Sequence, residues 1–400
     1  MKQVVIVGGG FGGVKAALEL ANNPHFRVTL ISKHNTFRYY PSLYHTATGG
    51  RRVQTSIPLQ RIFDRKNIVI MKNEAVSVNR KSKKIILEDG SALDFDILVL
   101  ALGVVTNYFG ITGLAEYSYS IKSVDEAERF KRHLHEQIID TGKLDANYLV
   151  VGGGPTGIEL AGALPAYLSE IMEKHGIKNK KPKVSIIEAM PQLLPRSPKS
   201  TSSAVKRRLE KLGVKLYLGQ AVQGQSADGL MVGGKKLDSQ TVVWTAGVTN
   251  NPFFKTNNFA LNERGKVIVN QFLAAEDDIY VIGDNADTPF SGLAQTALHD
   301  AISLANNLKL SAAGKPMKAY KPKKIVSVIP AGKGWAAVDW GKLHLTGRLG
   351  WLLRSAADWV GFKDLEPFWR ATNQWATEFG EQEYCPVCTT PRKDLAAQTN

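Results

Sequence analysis

An α/β fold with two parallel-sheet domains is what this sequence predicts, and two observations carry that prediction. The segment "VVIVGGGFGG" at 4–13 reads as a strand, a glycine turn and the start of a helix, and "VVGGGPTGIELAG" at 150–162 repeats that order. Each is followed by another β-branched run, "RVTLIS" after the first and "KVSIIEA" after the second, so each opens a βαβ unit. The composition agrees: 400 residues, 44% hydrophobic and 22% charged, suffice for two or three compact domains and exclude disorder as the main state.

In chain order, the first unit is followed by a charged, alternating stretch from Ile68 to Gly103. It predicts a small antiparallel meander ending in a buried strand at 97–102. A helix follows at 123–140, opened by Ser123 with Glu126 three residues later, the pattern of a capping box. The second unit starts at Asn147 and continues through a helix at 200–212 to a strand at 241–248. "DDIYVIGDNA" is a further buried strand, and "GLAQTALHDAISLANNL" a helix after it. The expected domains are therefore 1–113 and 248–319 as one unit, 114–247 inserted within it, and 320–400 as a separate C-terminal region. The two βαβ units form a coarse internal duplication.

Only two cysteines occur, Cys385 and Cys388, so neither a disulfide framework nor a four-thiolate cluster is available. One CxxC cannot complete a tetrahedral metal site, no metal is expected, and the pair reads as part of a polar tail. Redox chemistry in this chain must use a borrowed group. Met1-Lys2-Gln3 runs straight into a strand with no signal-peptide core, which favours a cytoplasmic protein. The longest weakly charged stretch, 149–168, is glycine-rich and carries Glu159, and it reads as strand, turn and helix, not as a membrane span.

Gly8, Gly10 and Gly13 give GxGxxG, as do Gly152, Gly154 and Gly157, each leaving a strand and entering a helix. The first glycine permits the tight turn, the second lets backbone N–H groups approach a pyrophosphate, and the third lets helix and strand pack closely. The helix N-terminus adds a partial positive charge at the phosphates. Glu188, ending the second unit's second strand, is placed to bond ribose hydroxyls and to repel a 2′-phosphate, so NADH is favoured over NADPH. The corresponding residue in the first unit is Ser32, a weaker ribose partner than the usual carboxylate. One cradle is thus expected to hold a flavin dinucleotide and the other to admit a nicotinamide dinucleotide, which together imply hydride transfer.

Over residues 1–310 the motifs "VVGGGPTGIELAG", "LGVVTNYFGITGL", "SIKSVDEAERFKRHL", "IIEAMPQLLP", "WTAGV", "IYVIGDNA" and "LAQTA" resemble, in order, the two-dinucleotide flavoproteins, and among them the type II NADH:quinone oxidoreductases. The resemblance implies FAD contacts at Gly8, Gly10, Phe11, Gly12, Gly13, Ser32, Lys33, Val76, Gly103, Gly283, Asp284 and Ala294, with Asp284 on the ribityl chain. It implies NADH contacts at Gly152, Gly154, Pro155, Thr156, Gly157, Glu188 and Gly247. Glu159 is implied beside the flavin N5 and the nicotinamide, and Gln295 beside the flavin ring and quinone, as the catalytic pair. The family's later glutamines are replaced here by His299 and Asp300. Disulfide reductases need a redox CxxxxC near the first flavin segment and sulfide:quinone reductases need thiols in the body of the chain; this sequence has neither.

The formal charge is +15 and the pI about 9.6. Between Lys315 and Arg354 there are nine Lys or Arg against one acid, Asp339. "RLGWLLRSAADWVGF" then sets Leu349, Leu352, Leu353, Ala356, Trp359 and Val360 on one helical face, with Arg354 and Asp358 opposite. This predicts an amphipathic membrane-anchoring region on an anionic membrane surface, at the cytoplasmic face and without a span. Nucleic acid is not expected as a partner, since no binding module accompanies the charge. The reading is an NADH:quinone oxidoreductase that passes hydride to FAD and two electrons to a membrane quinone without pumping protons, and the resemblance implies a homodimer. The alternative is an NADH-dependent flavoprotein reductase whose acceptor is a soluble carrier or oxygen.

Overall fold

The computed structural model describes residues 1–141, 144–178 and 180–377, so the Cys385–Cys388 pair lies outside the described residues. Lys2–Val7 is central in a six-stranded sheet, flanked by Phe26–Ser32 and Ile97–Leu100; Ile68–Lys72 lies beyond the former and Ile279–Val281 beyond the latter, all parallel. Ala274–Glu276 closes the edge antiparallel. Val4 to Val7 and Ile97 to Leu100 are buried on both faces, which is why they read as continuous apolar runs.

Ile68–Lys72 differs from the sequence expectation: it joins this parallel sheet, and the antiparallel meander is confined to Ala75–Asn79, Lys84–Leu87 and Ala92–Asp94. As an edge strand it buries only part of each face. Its alternation therefore resembles that of the meander, while its partner, Val28 against Ile68, is remote in sequence.

The second sheet runs Lys215–Leu218, Val184–Glu188, Tyr148–Val151, Thr241–Trp244, all parallel. The capping box at its entry forms as read: the Ser123 N–H donates to Glu126 Oε2 at 2.8 Å and the Glu126 N–H to Ser123 Oγ at 3.1 Å. The chain crosses between the sheets twice, and the crossing segments Val104–Thr106 and Val248–Asn250 pair antiparallel.

After residue 326 the chain forms a three-stranded antiparallel sheet, Ser327–Pro330, Ala336–Trp340 and Leu343–Gly347, then helices Arg348–Lys363 and Phe368–Ala376. Ile329, Ala331 and Ala337 share a core with Ile158 and Leu164 of the second unit, whereas Phe362, Leu365 and Ala371 share one with Phe11 and Tyr39 of the first. Glu366, buried, takes a two-pronged bond from Arg61 at 2.6 and 2.9 Å, and Arg208 donates to the Ala331 carbonyl at 3.0 Å. The C-terminal region is thus packed into both nucleotide units.

The Arg348–Lys363 helix is inverted relative to a core helix. Leu349, Leu352 and Val360 are exposed, as are Phe368 and Trp369 on the next helix, while Arg354 and Asp358 are buried. No helix among the described residues is long and apolar enough to cross a membrane.

Candidate active site

Both glycine loops have the geometry of a phosphate cradle. Gly8 has φ +121°, and a Cβ there would stand 2.1 Å from the Ala101 carbonyl oxygen; one on Gly13 would stand 1.9 Å from the Gly8 oxygen. A Cβ on Gly10 would meet nothing within 4 Å. The second loop repeats this: φ +116° at Gly152, a Cβ on Gly157 at 1.9 Å from the Gly152 oxygen, and open space at Gly154. In each loop the outer glycines let backbone pass backbone, and the middle one faces room that a pyrophosphate fits. The helices Phe11–Leu20 and Pro155–Lys174 start at these loops with no acidic residue in their first turns, so nothing cancels the positive helix end. Pro155 takes the first helical position, where its missing N–H costs nothing.

Glu188 ends its strand beside the second loop. Its carboxylate accepts from the Gly153 N–H at 2.6 Å and the Met190 N–H at 2.7 Å, so it shapes the cradle. Ser32 is buried under the first loop, donating to the His34 carbonyl at 2.8 Å and accepting from the His34 N–H at 3.3 Å. A Cβ on Gly9 would come within 2.3 Å of its hydroxyl, so a larger residue at 32 would press on the loop. Lys33 is exposed and paired with Glu74 at 2.5 Å. Val76 is exposed; its carbonyl accepts from Asn257 Nδ2 at 3.2 Å.

Gly103, Gly247 and Gly283 all have positive φ and mark where the crossing segments and the third strand end meet. Asn285, fully buried, fastens this corner: Nδ2 donates to the Gly103 carbonyl at 2.7 Å and to Asn250 Oδ1 at 2.6 Å, and Oδ1 accepts from the Gly103 N–H at 2.8 Å. The residue was legible only as part of "IGDNA". Asp284 beside it is half-buried; burial raises its carboxyl pKa, opposed by Lys266, the Gly292 N–H and Lys122. Asp300 is wholly buried and accepts from the Gly283 N–H at 3.0 Å, so it holds the turn that presents Asp284. His299 points the other way, its Nε2 at 2.8 Å from the Lys321 carbonyl.

Ala294 begins the helix Ala294–Ala312, which packs along Phe11–Leu20. Gln295 is exposed and clamps the segment before the C-terminal sheet: Nε2 donates to the Val326 carbonyl at 2.8 Å and Oε1 accepts from the Val326 N–H at 3.1 Å.

Glu159, in the second turn of the Pro155–Lys174 helix, is half-buried and pushed up to about 8 by burial; Arg354 opposes that rise and Asp358 adds to it. The two opposing residues are the inward pair of the C-terminal helix. Arg354 and Asp358 form an ion pair, Tyr39 donates to Asp358 Oδ1 at 2.8 Å, and Arg354 Nη2 donates to the Pro41 carbonyl at 3.1 Å. Tyr39 in turn lies on the Phe362 ring at 4.4 Å and near Phe11 of the first cradle at 5.7 Å. In the sequence this segment was notable only for lacking cysteine. Arg354 and Asp358 stood out as the polar side of an apolar helix, but their inward orientation did not.

Fold and site together are those of a two-dinucleotide oxidoreductase. Residues 2–303 match the family model described as pyridine nucleotide-disulphide oxidoreductase. The chain is 30% identical over 332 residues to the type II NADH:quinone oxidoreductase of Staphylococcus epidermidis, covering 77% of this chain and 82% of that protein. The protein of the same name from Staphylococcus saprophyticus is 28% identical over 344 residues, covering 80% and 85%. Among solved structures, NDH2 from Plasmodium falciparum in complex with NADH superimposes with a TM-score of 0.84 at 18% identity, over 94% of this chain and 97% of that one. The sulfide:quinone oxidoreductase of Aquifex aeolicus gives 0.77 at 19% identity, over 97% and 98%. The chain belongs to the pyridine nucleotide-disulphide oxidoreductase family and, within it, to the type II NADH:quinone oxidoreductases. Its cradles fit the cofactor set of FAD and NADH.

Proposed function

We propose that this chain catalyses NADH + H⁺ + quinone → NAD⁺ + quinol at a membrane surface, with FAD held at the Gly8–Gly13 loop and NADH admitted at the Gly152–Gly157 loop. The observation that carries the reading is the pair of open glycine cradles in one chain whose only thiols are Cys385 and Cys388. FAD, when bound, supplies the two-electron chemistry that links hydride donor and quinone. The staphylococcal relatives are named for a quinone acceptor, and that acceptor class is carried over here.

In this reading the N–H groups of Phe11, Gly12 and Gly13 face the flavin pyrophosphate, with Ser32, Lys33 and Val76 toward its adenosine end. Asp284 bonds the ribityl chain, held by Gly283 and flanked by Gly103 and Ala294. Pro155, Thr156 and Gly157 open the helix that meets the NADH phosphates, Glu188 bonds the adenosine ribose, and Gly247, with the Phe109 ring against it, stands beside the nicotinamide. Glu159 holds or releases a proton near neutral pH, which suits a reaction that takes up one proton per turnover. Gln295, bound to Val326, fixes the approach to the quinone side.

The outward apolar face of the C-terminal helices, with the basic segment ahead of it, suits docking in the plane of an anionic leaflet at the cytoplasmic face. A homodimer belongs to the same reading. Anaerobic stopped-flow absorbance of the flavin tests the reaction. Rapid bleaching by NADH followed by rapid recovery on adding a short-chain quinone is expected; bleaching without recovery would move the search to a soluble acceptor.

A further inference from the structure

The first crossing segment, Val104–Thr106, runs on into a turn whose sequence does not favour its conformation. The Ile111 N–H closes it on the Tyr108 carbonyl at 3.0 Å, and its two central residues, Phe109 and Gly110, have φ of +52° and +68°. Two positive φ values make the mirror-image turn, whose central positions ordinarily take glycine, asparagine or aspartate. A bulky residue in the left-handed region is strained, and such strain persists only where the surroundings hold it. They do so here: the Phe109 N–H donates to Asn107 Oδ1 at 2.8 Å, and the Asn107 carbonyl accepts from Trp244 Nε1 at 2.9 Å. The Phe109 ring stands edge-on to Trp244 at 6.3 Å and against Gly247, where a Cβ would lie 2.4 Å from its Cε2. The side chain is nevertheless 61% exposed, so core packing does not account for a strained phenylalanine at this place.

The order of strands shows what the ring can cover. The second cradle leaves Tyr148–Val151, which has Val184–Glu188 on one side and Thr241–Trp244 on the other. Its first glycine lies against the continuation of the latter strand: a Cβ on Gly152 would stand 2.8 Å from Thr245 Oγ1 and 2.9 Å from the Ala246 nitrogen. A dinucleotide lies across the carboxyl ends of such strands with its pyrophosphate at the cradle. With the adenosine half toward Glu188, the nicotinamide half runs the opposite way, past Thr245, Ala246 and Gly247, to the place where Phe109 stands.

We propose that Phe109 binds the nicotinamide half of NADH, as an apolar shelf that packs on the ring and keeps water from its face. The inference deepens the function proposed above and rests on its placement of NADH. Gly247 has no side chain to push the shelf aside, which is the use of a glycine at that position. Phe109 also lies on the same short segment as Gly103, which Asn285 fastens on both sides of its peptide. One stretch of chain thus carries the shelf and the corner assigned to the flavin, so the two rings are set against each other by the same backbone.

The test is equilibrium dialysis of the FAD-loaded, full-length protein with two probes: NAD⁺, and ADP-ribose, which lacks the nicotinamide ring. Phe109→Ala is expected to weaken NAD⁺ binding about tenfold and ADP-ribose binding by less than about twofold. Phe109→Tyr, which keeps an aromatic face, is expected to restore NAD⁺ affinity. A fluorine on the Phe109 ring gives a second readout without loss of the side chain: its magnetic resonance is expected to move with NAD⁺ and to stay in place with ADP-ribose. Equal weakening of both probes by Phe109→Ala would overturn the proposal, as would a fluorine resonance that moves equally with both. A parent protein that binds neither probe would overturn the proposed function together with this inference. A parent that binds both, with Phe109→Ala binding them equally well, would sink this inference alone.

Discussion

Replacing Leu352 and Trp369 together by serine tests whether the outward face of the C-terminal helices meets lipid. Each residue is 64% exposed, so the fold itself loses little. Fully burying a large apolar side chain is worth roughly 1.5–3 kcal/mol, so sinking the exposed part of each into the acyl boundary contributes about 1–2 kcal/mol. Losing both sums to about 3 kcal/mol, on the order of a hundredfold in partition. The assay is co-sedimentation with anionic vesicles, with flavin content and melting temperature as controls for folding. Partition unchanged within about twofold in a protein that keeps its flavin would refute lipid docking by this face. Deleting residues 315–400 is not an equivalent test, because it strips Phe362, Leu365 and Ala371 from a shared core.

Three further outcomes are expected. Gly13→Ala puts a Cβ about where the Gly8 carbonyl oxygen already stands, 1.9 Å away, and the purified protein is expected to lose its flavin colour while the second cradle still binds NADH in a dialysis assay. Glu188→Ala removes two charge-assisted loop bonds as well as the ribose partner, so the KM for NADH is expected to rise at least tenfold, on the order of 1.5 kcal/mol or more, with kcat less affected; an unchanged KM removes Glu188 from that role. Glu159→Gln bears on stability: burial raises the folded pKa, so this group's contribution is complete below the ordinary carboxyl range and is lost as pH rises through about 8. The glutamine protein is therefore expected to gain melting temperature relative to the parent between pH 6 and pH 9, and a difference that stays constant across that window would show that Glu159 does not titrate there.

Both cradles were legible because their signal is local. Three glycines at fixed spacing between a strand and a helix specify one backbone path, and the structure follows it at Gly8 to Gly13 and at Gly152 to Gly157. Glu188 was legible for the same reason, as the last residue of the strand that pairs with the cradle's own. What was not legible depends on contacts remote in sequence. Tyr39 reaches Asp358 across 319 positions, and nothing near either residue signals the other. Asn285 fastens Gly103 from 182 positions away. The burial of Arg354 and Asp358 runs against the ordinary rule that an amphipathic helix buries its apolar side: the sequence reading set the apolar face toward lipid, but periodicity alone did not show that the opposite face would be packed into the protein. Ile68–Lys72 was misassigned to the meander because an edge strand half covered on each side looks locally like its antiparallel neighbours.

The way the C-terminal region is shared between two cores bears on how nucleotides move in and out. A hinge needs a boundary that few contacts cross. Here the two nucleotide units are joined by a pair of hydrogen-bonded crossing strands and again by a sheet and two helices rooted in both. Gly162 of the second-cradle helix lies so close to the Ala331–Gly332 backbone that a Cβ would stand 2.6 Å from the Gly332 nitrogen. Such a frame resists opening and closing. Exchange of oxidised for reduced nucleotide would then be a matter of diffusion through a fixed mouth, with traffic on the watery side independent of whatever arrives from the lipid.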